Sequence, residues 1–152
     1  MSRPAAALFA ITLVAAGLAG LAQPAVARDT VLHLSIQDVL NSGDYAEHVG
    51  KDVNFVFGTG AAPAGAKLMG TFVANRKTNS FNKTDERACA WAMVAALEAL
   101  HARALKEGGN AVVNVISYYK KVSFVSATEY ECHAGGIVAG VALQGTVAQI
   151  AR

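Results

Sequence analysis

No C-x-x-C, no H-x-x-x-H and no G-x-S-x-G occurs anywhere in this sequence. The first two absences remove the ligand spacings by which zinc is commonly held, and the third removes the nucleophile elbow of the α/β-hydrolases. Cysteine is scarce, with two residues, Cys89 and Cys132, and the four histidines (His33, His48, His101 and His133) show no ligand spacing. An excess of charge of one sign is missing as well. Setting Arg3 aside with the leader described below, 12 of the 13 basic residues remain against 11 acidic ones, a net of +1. Without a basic stripe the electrostatic footprint for nucleic acid is absent, so no nucleic-acid partner is expected. A phosphate loop is incomplete. Gly60–Leu68 (GAAPAGAKL) resembles G-x-x-x-x-G-K-[ST], but Ala66 intrudes before Lys67 and Leu68 stands where the Mg²⁺-binding hydroxyl belongs. The segment also leads into a strand, so no helix N-terminus waits for phosphate. It reads as a flexible loop.

What is present begins with a leader. Arg3 supplies a positive start, AAALFAITLVAAGLAGLA is an uncharged apolar run, and Ala25 and Ala27 occupy the −3 and −1 positions of an A-x-A site. Residues 1–27 are therefore expected to be a secretory signal peptide, removed after Ala27. Pro24 and the abundance of Ala and Gly argue against a retained span, so no stable membrane anchor is expected after cleavage. Residues 28–152 form a single domain in this reading, periplasmic or secreted.

Along that domain, Val31–Leu34 reads as a short strand, and Ser35 caps a brief helix carrying Ile36, Val39 and Leu40. NSGD then breaks the chain. Asp52–Gly58 and Lys67–Lys77 read as two strands forming a hairpin. The surest element is the helix between Thr84 or Asp85 and Gly108. Asp85 and Glu86 suit its positive end, and its interior is dense in Ala, Leu, Met and Glu. At 100° per residue Cys89, Met93, Ala96, Leu97, Leu100 and Ala104 share one face, with Arg87, Trp91 and Glu98 opposite. NAVVNVISYYK is apolar on both sides and suits a central strand. ATEYECHA and GVALQGTVAQIA supply the last two strands, with GGIVAG as the turn region. The order is β-α-β-β-α-β-β-β, an α+β fold with one long helix on a mostly antiparallel sheet.

Secreted chains with two cysteines usually pair them. In the strand ending at His133, Thr128, Tyr130 and Cys132 point one way and Glu129, Glu131 and His133 the other. Tyr130 and Cys132 are the buried set, so a Cys89–Cys132 disulfide is expected to tie the long helix to the sheet. The rival is a reactive thiol, favoured by the closeness of Cys89 to a helix N-terminus. Adjacent residues diverge in a strand, so Cys132 and His133 cannot grip one ion. His133 with Glu131 and Glu129 makes a weak candidate metal site on the outer face. Exposed Trp91, and Tyr118 and Tyr119 in SYYKK, are candidates for an interface with a partner or a second copy. No catalytic residue and no cofactor is assigned, and the chain is not expected to be an enzyme.

RKTNSFNKTDERACAWA, GGNAVVNVISYYKK and SATEYECHAGG with GVALQGTVA together resemble a group of small exported bacterial proteins that carry the label of the ABC excinuclease ATPase subunit. The likeness runs over most of residues 28–152, with Gly109 where Ala is expected. The label does not suit this chain, which lacks the phosphate loops and zinc-binding cysteines of a DNA-repair ATPase. More distantly, the helix followed by NAVVNV and a closing GTV strand resembles the YbjQ-type domain and the core of the outer-membrane Rcs stress sensor. The first resemblance implies oligomers and metal, the second a disulfide-bearing sensor or interaction module. The expected function is a non-enzymatic binding or envelope-stress interaction module, with a metal-binding or metal-responsive protein as the alternative.

Overall fold

The computed structural model describes residues 27–60 and 62–151. The expected leader, except for Ala27, lies outside the described residues. The elements are β1 (Thr30–Ser35), α1 (Ile36–Leu40), α2 (Gly43–His48), β2 (Asn54–Phe57), β3 (Lys67–Asn79), α3 (Asp85–Glu107), β4 (Ala111–Ser117), β5 (Glu129–Ala134) and β6 (Val138–Gln149), with a 3₁₀ turn at Tyr119–Lys121. This is the α+β order read from the sequence, except that the first helix is two. Ser35 caps α1 by accepting from the Asp38 amide, and Ser42, inside the expected break, caps α2 by accepting from the Tyr45 amide. Asn41 ends α1, and Ser42 beside it starts α2 while its hydroxyl donates to the Val39 carbonyl at 2.7 Å.

The six strands form one sheet in the order β1-β5-β6-β4-β2, with β3 also on β6. Residues of β6 that pair with β4 or β5 also pair with β3. So β3 runs along one edge of β6 while β4 and β5 share the other, end to end. The expected β2–β3 hairpin is not formed. β2 instead pairs in parallel with β4, and β3 pairs antiparallel with β6. Length decides this: the 13 residues of β3 find a full-length mate in the 12 of β6, whereas β2 offers four. In parallel with β4, Phe55 and Phe57 also pack against the core.

Helix α3 covers one face of the sheet. Thr84 caps it by accepting from the Arg87 amide, and Gly108 ends it in the left-handed region at φ 79°, where glycine carries no Cβ penalty. Cys89, Met93, Ala96, Leu97, Leu100 and Ala104 are all buried, as the helical period required. Ala88, Ala92, Ala96 and Ala104 are small, so the helix axis lies close to the strands. Gly145 on β6 leaves room for its β4 neighbour, because a Cβ there would sit 2.5 Å from Val112 Cγ1.

Candidate functional site

Strand β5 separates two environments. Tyr130, Cys132 and Ala134 are buried on the helix side, and Cys132 is bonded to Cys89 with a Cα–Cα separation of 5.8 Å. Both cysteines are fully buried and neither is a free thiol, which corrects the reactive-thiol reading. Cys89 lies in the second turn of α3 facing inward, and Cys132 faces it from the strand. The bond joins the helix to the sheet as the alternation of faces required.

On the outer side, β1 and β5 pair with His33 directly opposite Glu131 and Val31 opposite His133. One carboxylate therefore meets two imidazoles. Glu131 Oε1 lies 3.1 Å from His133 Nε2, and Oε2 lies 3.5 Å from His33 Nε2. The other nitrogen of His133, Nδ1, lies 3.1 Å from Asp29 Oδ1. Next to Asp29, Arg28 reaches Asp85 at 2.6 Å and the Gly135 carbonyl at 3.0 Å. The residue expected to begin the mature chain is thus tied to the start of α3 and to the β5–β6 turn.

Two aromatic rings cover the histidines. Tyr119 stacks on His133 with centroids 3.6 Å apart and planes 12° apart, and Phe124 stacks on His33 at 4.2 Å and 5°. Both rings come from the segment after β4, which turns back over β5. Lys120 and Lys121 make that turn at φ 49° and 66°, a region costly for residues with a Cβ. The turn is pinned by backbone bonds between Ser117 and Phe124 and by Ser117 Oγ, which accepts from the Glu131 amide at 2.9 Å. Lys120 Nζ lies 5.4 Å from the Tyr119 ring centre.

Of the residues singled out from sequence, Glu131, His133 and Tyr119 come together here. Glu129 is exposed across from Ser35 and takes no part in the cluster. Among the described residues no group of three or more His, Cys, Asp or Glu side chains is placed to hold a metal ion. Tyr118 is half-buried, its amide donating to the Ala142 carbonyl. Trp91 is half-buried rather than free, with the Arg87 guanidinium 5.2 Å from its ring centre and His48 at 5.6 Å. His33, Asp29 and Phe124 were missed as members of the site. The alternation of β1 placed Val31 and His33 on one face, but only the register with β5 shows which residues they oppose. No protein-family model matches this chain, and neither do the curated proteins or the solved structures.

Proposed function

We propose that the chain is an exported, non-enzymatic interaction module, periplasmic or secreted. Its working surface is the outer face of β1 and β5, used on an envelope protein or a second copy of itself. One observation carries this reading. The Tyr119–His133 stack is held rigid beside two aliphatic side chains left in solvent, Val31 at 51% and Val122 at 68% exposure. Binding hot spots are rich in tyrosine, and a group ordered before binding loses less entropy on contact. The chemistry-bearing residues are otherwise engaged: both cysteines are in the disulfide, His33 and His133 meet carboxylates, and His101 contacts Asp52 at 2.7 Å. The resemblance to small exported proteins and to a disulfide-bearing envelope sensor supports the same reading. The test is a photo-crosslinking residue placed at Val122 in cells exporting the protein. A discrete adduct, lost when Tyr119→Ala is added, is expected, and an adduct of twice the chain mass identifies self-association. The same adducts from Glu98, on the far side of the molecule, sink the proposal.

The metal reading has one specific observation behind it, the Glu131 carboxylate bracketed by two imidazoles at 3.1 and 3.5 Å. As they stand, no three such side chains among the described residues are placed to hold an ion, so a divalent transition ion would have to displace these hydrogen bonds to draw on His33, His133 and Glu131. A ligand bound only by the folded state raises the melting temperature. Zn²⁺ should then stabilise the native chain and not His133→Ala, and no shift in the native chain removes this reading.

A further inference from the structure

On the helix side of β5, a cleft of about 430 Å³ opens between α1, α2 and the start of α3. That is within the ~300–1,000 Å³ of small-molecule sites. Leu34, Val39 and Ala90 give it an apolar wall, and Asp38, Glu86 and Tyr130 face it with polar groups. Tyr130 is the informative residue. It is only 2% exposed, and a phenol so deeply set normally bonds its hydroxyl to a neighbour. Here the hydroxyl has no hydrogen-bond partner among the described residues, and no fully buried side-chain polar atom among them goes unpaired. The hydroxyl is therefore the part of Tyr130 that reaches into the cleft.

The sign of the charge on the wall selects the ligand. Asp44 is answered by Arg87 at 2.6 Å, but Asp38 and Glu86 have no cationic partner among the described residues. The Arg87 amide at the start of α3 is already taken by Thr84 Oγ at 3.2 Å. An anion would meet two uncompensated carboxylates, and a neutral apolar guest would desolvate them without a partner. We propose that the cleft binds a small organic cation, a primary ammonium on a short apolar body. The ammonium is held by Asp38, Glu86 and the Tyr130 hydroxyl, and the body lies against Leu34, Val39 and Ala90. An ammonium has three donors and no acceptor, which suits the Asp38, Glu86 and Tyr130 acceptors that line the cleft beside its apolar residues. This site is on the opposite side of β5 from the histidine face, so its failure leaves that reading intact.

The test uses the full oxidised protein, titrated with 2-phenylethylammonium and n-hexylammonium and followed by amide chemical shifts. The size-matched anion 3-phenylpropionate and the neutral 2-phenylethanol serve as controls. Expected are saturable shifts at Asp38, Glu86 and Tyr130 with the ammonium probes alone, weakened by added salt. Tyr130→Phe keeps the ring and should weaken binding about fivefold. Glu86→Gln, at an exposed position, should weaken it about tenfold, the usual scale for losing a charge-assisted bond. Thermal unfolding checks that both variants remain folded. The proposal is overturned if neither ammonium probe saturates these shifts at millimolar concentration, if the anion binds as well, or if both variants bind unchanged.

Discussion

Tyr130 and Cys132 lie two residues apart on one face of β5, and each makes a separate demand on the solvent conditions. Burial first, and then the Asp38 carboxylate, hold the Tyr130 phenol well above its ordinary 10.0. Burial also raises Tyr45. A group that keeps its proton longer in the folded state stabilises the fold fully below its unfolded pKa and loses that contribution as pH rises. Stability should therefore be flat up to about pH 9 and fall above pH ~10, approaching about 1.4 kcal/mol per pH unit for Tyr130. Urea midpoints between pH 8 and 11 check this, and Tyr130→Phe should make the alkaline fall shallower. A slope unchanged in that variant would show that Tyr130 is not the group responsible. Cys132 makes the opposite kind of prediction, independent of pH in this range. The 43-residue separation of the cysteines gives about 4 kcal/mol of loop-closure stabilisation. Cys89→Ser with Cys132→Ser should lower the unfolding free energy by about that amount.

At the level of elements, the packing of β6 beside β4 beneath α3 depends on a side chain that is not there. A Cβ at Gly145 would lie 2.5 Å from Val112 Cγ1, 3.4 Å from Val115 Cγ2 and 3.6 Å from Leu100 Cδ1, all in the packed core. Gly145→Ala should cost about 1–3 kcal/mol by overpacking. Gly43, at the first position of α2, has nothing within 4 Å of such a Cβ. Gly43→Ala should instead stabilise the protein by about 0.5–1 kcal/mol, by restricting the unfolded chain. Chemical denaturation of the two variants side by side checks both signs. Helix α3 was legible because its signals are local: a threonine cap, acidic residues in the first turn, a glycine stop and one apolar face. The mate of β2 was not, because strand pairing depends on lengths and partners far apart in the chain. NFVF alternates equally well beside β3 or β4, and only the matching length of β6 draws β3 away.

For the whole molecule, the α+β architecture and the disulfide were readable because alternation and helical period are sums over many residues. The candidate site was half readable. Glu131 and His133 share a face by alternation alone, and Tyr119 stood out as an aromatic at a strand end. His33, Asp29 and Phe124 join them only through the antiparallel register of β1 and β5 and the left-handed turn at Lys120–Lys121, neither of which has a local signature. The exported reading makes its own prediction. Protein taken from its native compartment should have an intact mass beginning at Arg28, and neither cysteine should alkylate until a reductant is added. Free alkylation, or a mass that retains residues 1–27, would contradict it.

The bond between Cys89 and Cys132 also sets how far the molecule can be stretched. Tension applied between the two ends passes through the sulfur bridge and bypasses the residues between the cysteines, which are 43 positions apart, among them most of α3, β4 and the aromatic turn. At 3.3–3.6 Å per extended residue, about 150 Å of contour length is withheld until the bridge is reduced. Once unfolded under tension, the chain therefore extends less with the bridge intact than after its reduction.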